Sequence, residues 1–203
     1  MAEADPPRVG GILLAAGASS RMGSAKQLLQ FEGTTLIRRS ASALSDSDCV
    51  PCVVVLGAKS AECEQELAGI EIDICVNEEW PSGMSSSIKA GLGRLLQIDP
   101  RTDAVMITLC DQPHVSAAVI NKFIAEYRRI RPHIIASEYN GVTGVPALFS
   151  RDMFDSILKL EGDRGAKGLI RMTGQKALTL EVPQAAFDID SPADLMSVGE
   201  TKT

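Results

Sequence analysis

Arg21 and Lys26 stand five residues apart at the end of a stretch in which side chains almost disappear. Ala15, Ala16, Gly17, Ala18, Ser19 and Ser20 are six small residues in succession, and Gly23 falls between the two cations. Small residues let a backbone approach a ligand closely, and glycine accepts the angles of a tight loop. Consecutive backbone N–H groups in such a loop form an anion nest. The arginine fork grips phosphate oxygens in pairs, and the lysine adds a mobile point charge. The chemistry is that of a polyphosphate site. Leu14 closes the apolar run Ile12–Leu13–Leu14–Ala15, which suits a buried strand leading into the loop. The Walker pattern fails, because five residues separate Gly17 from Gly23 and Ser24 follows. The dinucleotide pattern G-x-G-x-x-G fails too, with Ser19 and Met22 where its later glycines belong. An ordinary Gly/Ser-rich connection would leave Arg21 and Lys26 as coincidence.

Three acids form the second group. Asp111 follows the apolar run DAVMITL over 103–109, and open α/β sheets place their sites at the carboxyl ends of such strands. A loop or capping carboxylate is the plain alternative. Asp188 and Asp190 flank Ile189, and on a strand they would share one face. Ser191 and Pro192 read simply as a helix N-cap and first helical residue. The serines at 85–87 open an apolar-periodic segment, and capping explains any one of them. Cys49 and Cys52 form a C-x-x-C, but Cys52 leads into Val53–Val54–Val55–Leu56 and no second pair completes a zinc set. The chain has two histidines, and lone His114 reads as a surface residue.

The positioning elements alternate. Periodicity predicts helices over 34–44, 60–67, from Met84 onward, 117–129 and 153–160, with Thr34 or Thr35 and Ser116 as caps. Strands are expected over 52–56, 70–76, 103–109, 133–136 and 176–182, with 141–149 as a loop feeding an apolar strand. This alternation predicts an α/β fold with a mainly parallel sheet. A single domain over 9–198 is expected, with a disordered leader at 1–8 and a tail at 199–203. The net charge of −6 argues against nucleic acid as a partner, and no apolar run approaches a membrane span. No secretory pattern opens the chain, and five cysteines, an odd count, fit reduced thiols in the cytoplasm.

The loop LAAGASSRMGSAK resembles the signature of the MobA-like nucleotidyltransferases, which join a nucleoside triphosphate to a phosphorylated acceptor. The pattern N-x-x-W-x-x-G-M-x-S-S-I-x-x-G-L, running from Asn77 to Leu92, resembles the molybdenum cofactor cytidylyltransferase group within them. Asp111–Gln112–Pro113, the G-x-P-A-L-F segment from Gly144, Gly162–Asp163–Arg164–Gly165–Ala166 and Asp188–Ile189–Asp190–Ser191–Pro192 match further motifs in order. The resemblance implies a Rossmann-like three-layer α/β/α nucleotidyltransferase fold. It implies CMP transfer from CTP to a molybdopterin-type cofactor, with Mg2+ and loss of pyrophosphate. Arg21, Lys26 and Asp111 would be catalytic. Leu14, Ala15, Ala16, Gly17, Ser20, Arg21, Gly23, Lys26, Gly83, Ser86, Ser87 and Asp111 would hold the nucleotide. Gln112, Gly144 and Pro146 would face the acceptor, and Asp111 with Asp188 or Asp190 the metal. A molybdoenzyme would receive the product.

GMP transfer to the same cofactor, or nucleotidyl transfer to another phosphorylated acceptor, remains open within the class. A dinucleotide-binding oxidoreductase and a molybdenum cofactor chaperone are the rivals outside it. The missing glycine fingerprint weighs against the first, and a pyrophosphate pocket is superfluous for the second.

Overall fold

A computed structural model describes residues 5–18, 25–163, 165–172, 177–189 and 194. Ser20, Arg21, Gly23 and Asp190, and with them the ends at 1–4 and 195–203, lie outside the described residues. The strands are β1 (Val9–Ala15), β2 (Gln30–Phe31), β3 (Thr34–Thr35), β4 (Cys52–Leu56), β5 (Asp73–Val76), β6 (Ala104–Leu109), β7 (Ile134–Tyr139), β8 (Val142–Ser150) and β9 (Leu178–Glu181). The helices are α1 (Leu36–Ser45), α2 (Ser60–Glu66), α3 (Met84–Ile98), α4 (Ala117–Ile130), α5 (Phe154–Leu158) and α6 (Ala166–Met172).

Seven strands form one sheet in the order β5-β4-β1-β6-β8-β7-β9. β5, β4, β1 and β6 are parallel neighbours; β8 runs antiparallel to both β6 and β7, and β9 pairs parallel with β7. The mainly parallel α/β sheet is as expected. β1 is buried along its whole length, and its side chains alternate between two cores. Leu13 and Ala15 pack on the side of α1, α2 and α4, whereas Ile12, Leu14 and Ala16 pack on the side of α3, α5 and α6. β1 therefore reads as a continuous apolar run, as strands covered on both faces do. A Cβ on Gly10 would stand 2.5 Å from Leu95, and one on Gly11 would stand 2.6 Å from Leu44. Glycine at both positions lets helices press on β1 from either side.

Thr35 caps α1 by accepting from Arg38 N, and Ser116 caps α4 by accepting from Val119 N, each at 3.4 Å. Two segments differ from expectation. Residues 142–150 are strand throughout, because β8 pairs along its length with β7 and over its second half with β6. Residues 187–189 form no strand; this segment docks instead through Ile189 N, which donates to Asp111 O at 3.0 Å.

The chain leaves β1 toward β4 and β5, then crosses back to β6 on the other side of β1. The carboxyl ends of β1 and β6 thus flank a topological switch point, where open sheets hold their ligands. Among the described residues, no helix is long and apolar enough to cross a membrane.

Candidate active site

A cleft of about 370 Å³ opens at that switch point. Leu14, Ala15, Ala16, Gly17 and Ala18 line it from the end of β1, and Leu109, Cys110 and Asp111 from the end of β6. Trp80, Pro81, Gly83, Met84 and Ser87 line it from the start of α3. Met84 keeps much of its surface exposed, so an apolar wall faces the opening.

Lys26 begins a short helical turn and lines the cleft. Its Nζ donates to Asp111 Oδ2 at 2.9 Å, with both side chains mostly shielded. Asp111 Oδ1 is buried and has no hydrogen-bond donor among the described residues. The bond from Ile189 N to Asp111 O sets half-buried Asp188 beside the Asp111 loop. Two carboxylates so placed suit a hard divalent cation. Among the described residues, no group of three or more His, Cys, Asp or Glu side chains forms a fuller cage. Magnesium needs none, since it takes one or two carboxylates and fills its shell with water and phosphate oxygens.

Gly83 sits at φ 113°, and a Cβ there would meet the backbone of Gly162 at 2.5 Å. Ser85 N donates to Gly162 O at 3.1 Å. The turn at 162–163 is thus strapped across the start of α3, and it carries Asp163 into the cleft lining. Ser87 lines the cleft, whereas Ser86 turns to Glu79 O and Gly83 O.

Gln112, Gly144 and Pro146 are not among the residues that line the cleft; Gly144 and Pro146 lie within β8, and Gln112 is bonded to the residue between them. The Gln112 amide donates to Val145 O at 3.2 Å and Ala185 O at 3.1 Å, tying the Asp111 loop to β8 and to the segment that delivers Asp188. A Cβ on Gly144 would touch Lys167 Cε at 2.9 Å, which puts a cation next to this group.

Gln27 was not singled out from sequence, and Asp163 stood there only within a matched motif, with no role of its own. Gln27 is buried, and its Nε2 donates to Ala15 O at 2.8 Å and Gly17 O at 2.6 Å, pinning the first residues of the small-residue run. The signal available was its adjacency to Lys26. His114 is not a plain surface residue: its ring centroid lies 5.5 Å from that of Phe31 and 5.0 Å from that of Phe187. Cys49 and Cys52 are free and buried. Burial pushes the Cys49 thiol up to about 12 and raises that of Cys52 as well, which leaves neither as a ready thiolate.

A small-residue floor, a shielded lysine on a strand-end aspartate and a second acid docked alongside are an arrangement suited to phosphate chemistry. Relatives share the frame. The chain is 31% identical to nicotine blue oxidoreductase of Paenarthrobacter nicotinovorans over 182 residues, 84% of this chain and 85% of that one. It is 26% identical to the molybdenum cofactor cytidylyltransferase of Escherichia coli K12, over 95% of this chain and 96% of that one. The crystal structure of Rv0371c from Mycobacterium tuberculosis H37Rv superposes with a TM-score of 0.85 at 26% identity, covering 98% of this chain and 100% of that one. Rv0371c has also been solved in complex with manganese, and that structure matches at 25% identity with a TM-score of 0.79. The model of the MobA-like NTP transferase domain matches residues 11–179, most of the chain, and the chain belongs to that nucleotidyltransferase family.

Proposed function

We propose that this protein transfers CMP from CTP to the phosphate of a molybdopterin-type molybdenum cofactor and releases pyrophosphate. The observation that carries the reading is the contact between Lys26 and Asp111, at 2.9 Å over a floor of small residues. Every reactant in such a transfer is an anion, so the protein's work is to neutralise charge and align the partners. Lys26 is suited to the triphosphate and the departing pyrophosphate, and Arg21 is assigned the same task. Ala15, Ala16 and Gly17 let the nucleotide lie against the backbone. Gly83 and Ser87 are assigned to its base. Asp111 and Asp188 would hold magnesium, which supplies charge neutralisation across the phosphates when bound. An oxygen of the acceptor phosphate attacks the α-phosphorus as the bond to the β-phosphate oxygen breaks. The acceptor phosphate is ionised at neutral pH, so no strong base is needed. The acceptor is assigned to the side of Gly144 and Pro146. Gln112 belongs to this group as a support, since both its N–H bonds are already committed to carbonyls.

The likeness to the E. coli cytidylyltransferase supports cytosine and the molybdopterin acceptor. The test is pyrophosphate release with magnesium, molybdopterin-type cofactor and each of CTP, GTP, UTP and ATP. Fastest release from CTP is expected. Equal rates with CTP and GTP would remove the cytidylyl assignment, and no release from any triphosphate would overturn the reading.

A second reading has its own observation, the 31% identity to nicotine blue oxidoreductase. An oxidoreductase using the same cleft would be stabilised by a dinucleotide such as NAD and by none of the triphosphates, because a ligand of the native state raises its melting temperature.

A further inference from the structure

We infer that Asn77 is a positioning residue that fixes the Ser87 hydroxyl as a hydrogen-bond donor toward the nucleotide base. This polarity selects a base that presents a ring acceptor, as cytosine does at N3, over one that presents N–H, as uracil and guanine do. The inference rests on the triphosphate reading above and deepens it.

The argument is an account of hydrogen-bond donors and acceptors. Asn77 is buried just past β5, and its backbone N donates to Leu56 O at 2.8 Å. Glu79 N donates to Asn77 Oδ1 at 3.1 Å, which settles the orientation of the side-chain amide. Asn77 Nδ2 then donates to Ser86 Oγ at 2.9 Å and to Ser87 Oγ at 3.1 Å, so both amide protons are used and both serine oxygens accept. The Ser86 proton has carbonyls in reach, Gly83 O at 2.8 Å and Glu79 O at 3.0 Å. Ser87 differs: among the described residues, its hydroxyl has Asn77 as its one hydrogen-bond partner, and no protein acceptor takes its proton. Ser87 is also the member of the pair that lines the cleft, beside the apolar faces of Trp80, Pro81 and Met84, which suit a flat ring.

A hydroxyl that already accepts from a buried amide meets a ligand with its proton. A ring acceptor completes it. A ring N–H could use only the remaining lone pair, leaving the Ser87 proton without an acceptor in a shielded place, which is costly. Sites built around such a group discriminate strongly, because the wrong ligand leaves it unmatched.

Asn77→Asp reverses the polarity at almost constant shape. The Glu79 N–H keeps its acceptor, but the carboxylate now draws the Ser87 proton away from the cleft and turns a lone pair toward it. The test is equilibrium binding of CTP, UTP and GTP, each with magnesium, to wild type, Asn77→Asp and Ser87→Ala, after thermal melts have confirmed folding. Wild type should favour CTP over UTP by roughly tenfold or more. In Asn77→Asp that ratio should fall to near one or invert, with UTP affinity rising. Ser87→Ala should flatten the ratio by weakening CTP alone. Equal losses of CTP and UTP in Asn77→Asp, with the ratio kept, would reduce Asn77 to scaffolding and overturn the inference. Should Asn77→Asp not fold, an unchanged ratio in Ser87→Ala overturns it equally. A wild type that binds CTP with the expected preference keeps the triphosphate reading whatever the variants do. One that binds no triphosphate ends both.

Discussion

Lys26 and Asp111 neutralise one another inside a cleft whose expected ligands are all anions. In the proposed transfer each has a task that the other masks. Lys26→Ala should lower turnover by about 100-fold or more, the usual scale for one lost transition-state donor, while the melting temperature stays close to wild type. Near-normal turnover would take Lys26 out of the phosphate site. Asp111→Asn preserves size and removes charge. Magnesium-dependent turnover should fall by about 100-fold or more, whereas CTP binding without metal should hold or improve, because an anion has left the cleft. If binding, stability and turnover fall together, Asp111 merely shapes its loop. These two residues were legible in the sequence because charge next to a small-residue run, or at the end of an apolar strand, is conspicuous. Gln27 was not. A buried glutamine carries no compositional mark, and only the folded chain shows its amide bridging Ala15 O and Gly17 O.

Elements were legible where local chemistry decides them. The caps at Thr35 and Ser116 mark the starts of α1 and α4. β8 was harder, since Gly141, Gly144 and Pro146 read as loop residues and pairing with β7 and β6 overrides them. The start of α3 is a third case. It has no side-chain cap and relies on Gly83 in a left-handed conformation beneath Gly162. Gly83→Ala should therefore cost about 1–3 kcal/mol, from backbone strain and collision with the 162–163 turn. Urea unfolding measures that loss, and CTP affinity in the folded protein should drop with it as the turn lifts. Wild-type stability in Gly83→Ala would show that the turn yields freely. The 187–189 segment misled in the opposite direction. Alternating acids suggested a strand, yet the segment docks through Ile189 N on Asp111 O and through Phe187 against His114, contacts with a distant loop that no local pattern announces.

For the molecule as a whole, the buried thiols make a prediction about pH. Burial raises Cys49 to about 12 and Cys63 to about 11, and holds Cys52 and Cys110 above the ordinary thiol value too. The folded state keeps these protons when the unfolded chain has lost them, so their contribution is complete below about pH 9 and is lost as pH rises toward the folded values. Stability should decline above about pH 9, by at most about 1.4 kcal/mol per pH unit for each thiol. Urea titrations at neutral and alkaline pH measure the slope. Cys49→Ala should make it shallower, and an unchanged slope would remove Cys49 from the account.

The bond between Ile189 N and Asp111 O also has a bearing on how the molecule is made. A ribosome delivers Asp111 long before Asp188. A growing chain that has reached β8 already holds the small-residue floor, Lys26 and the first carboxylate. The second lies further along the chain, past β9, which pairs with β7, and past Ala185, whose carbonyl accepts from the Gln112 amide. In the proposed site, where both acids hold the ion, that ion is open only to chains translated through residue 188, and a product stopped earlier lacks the second carboxylate.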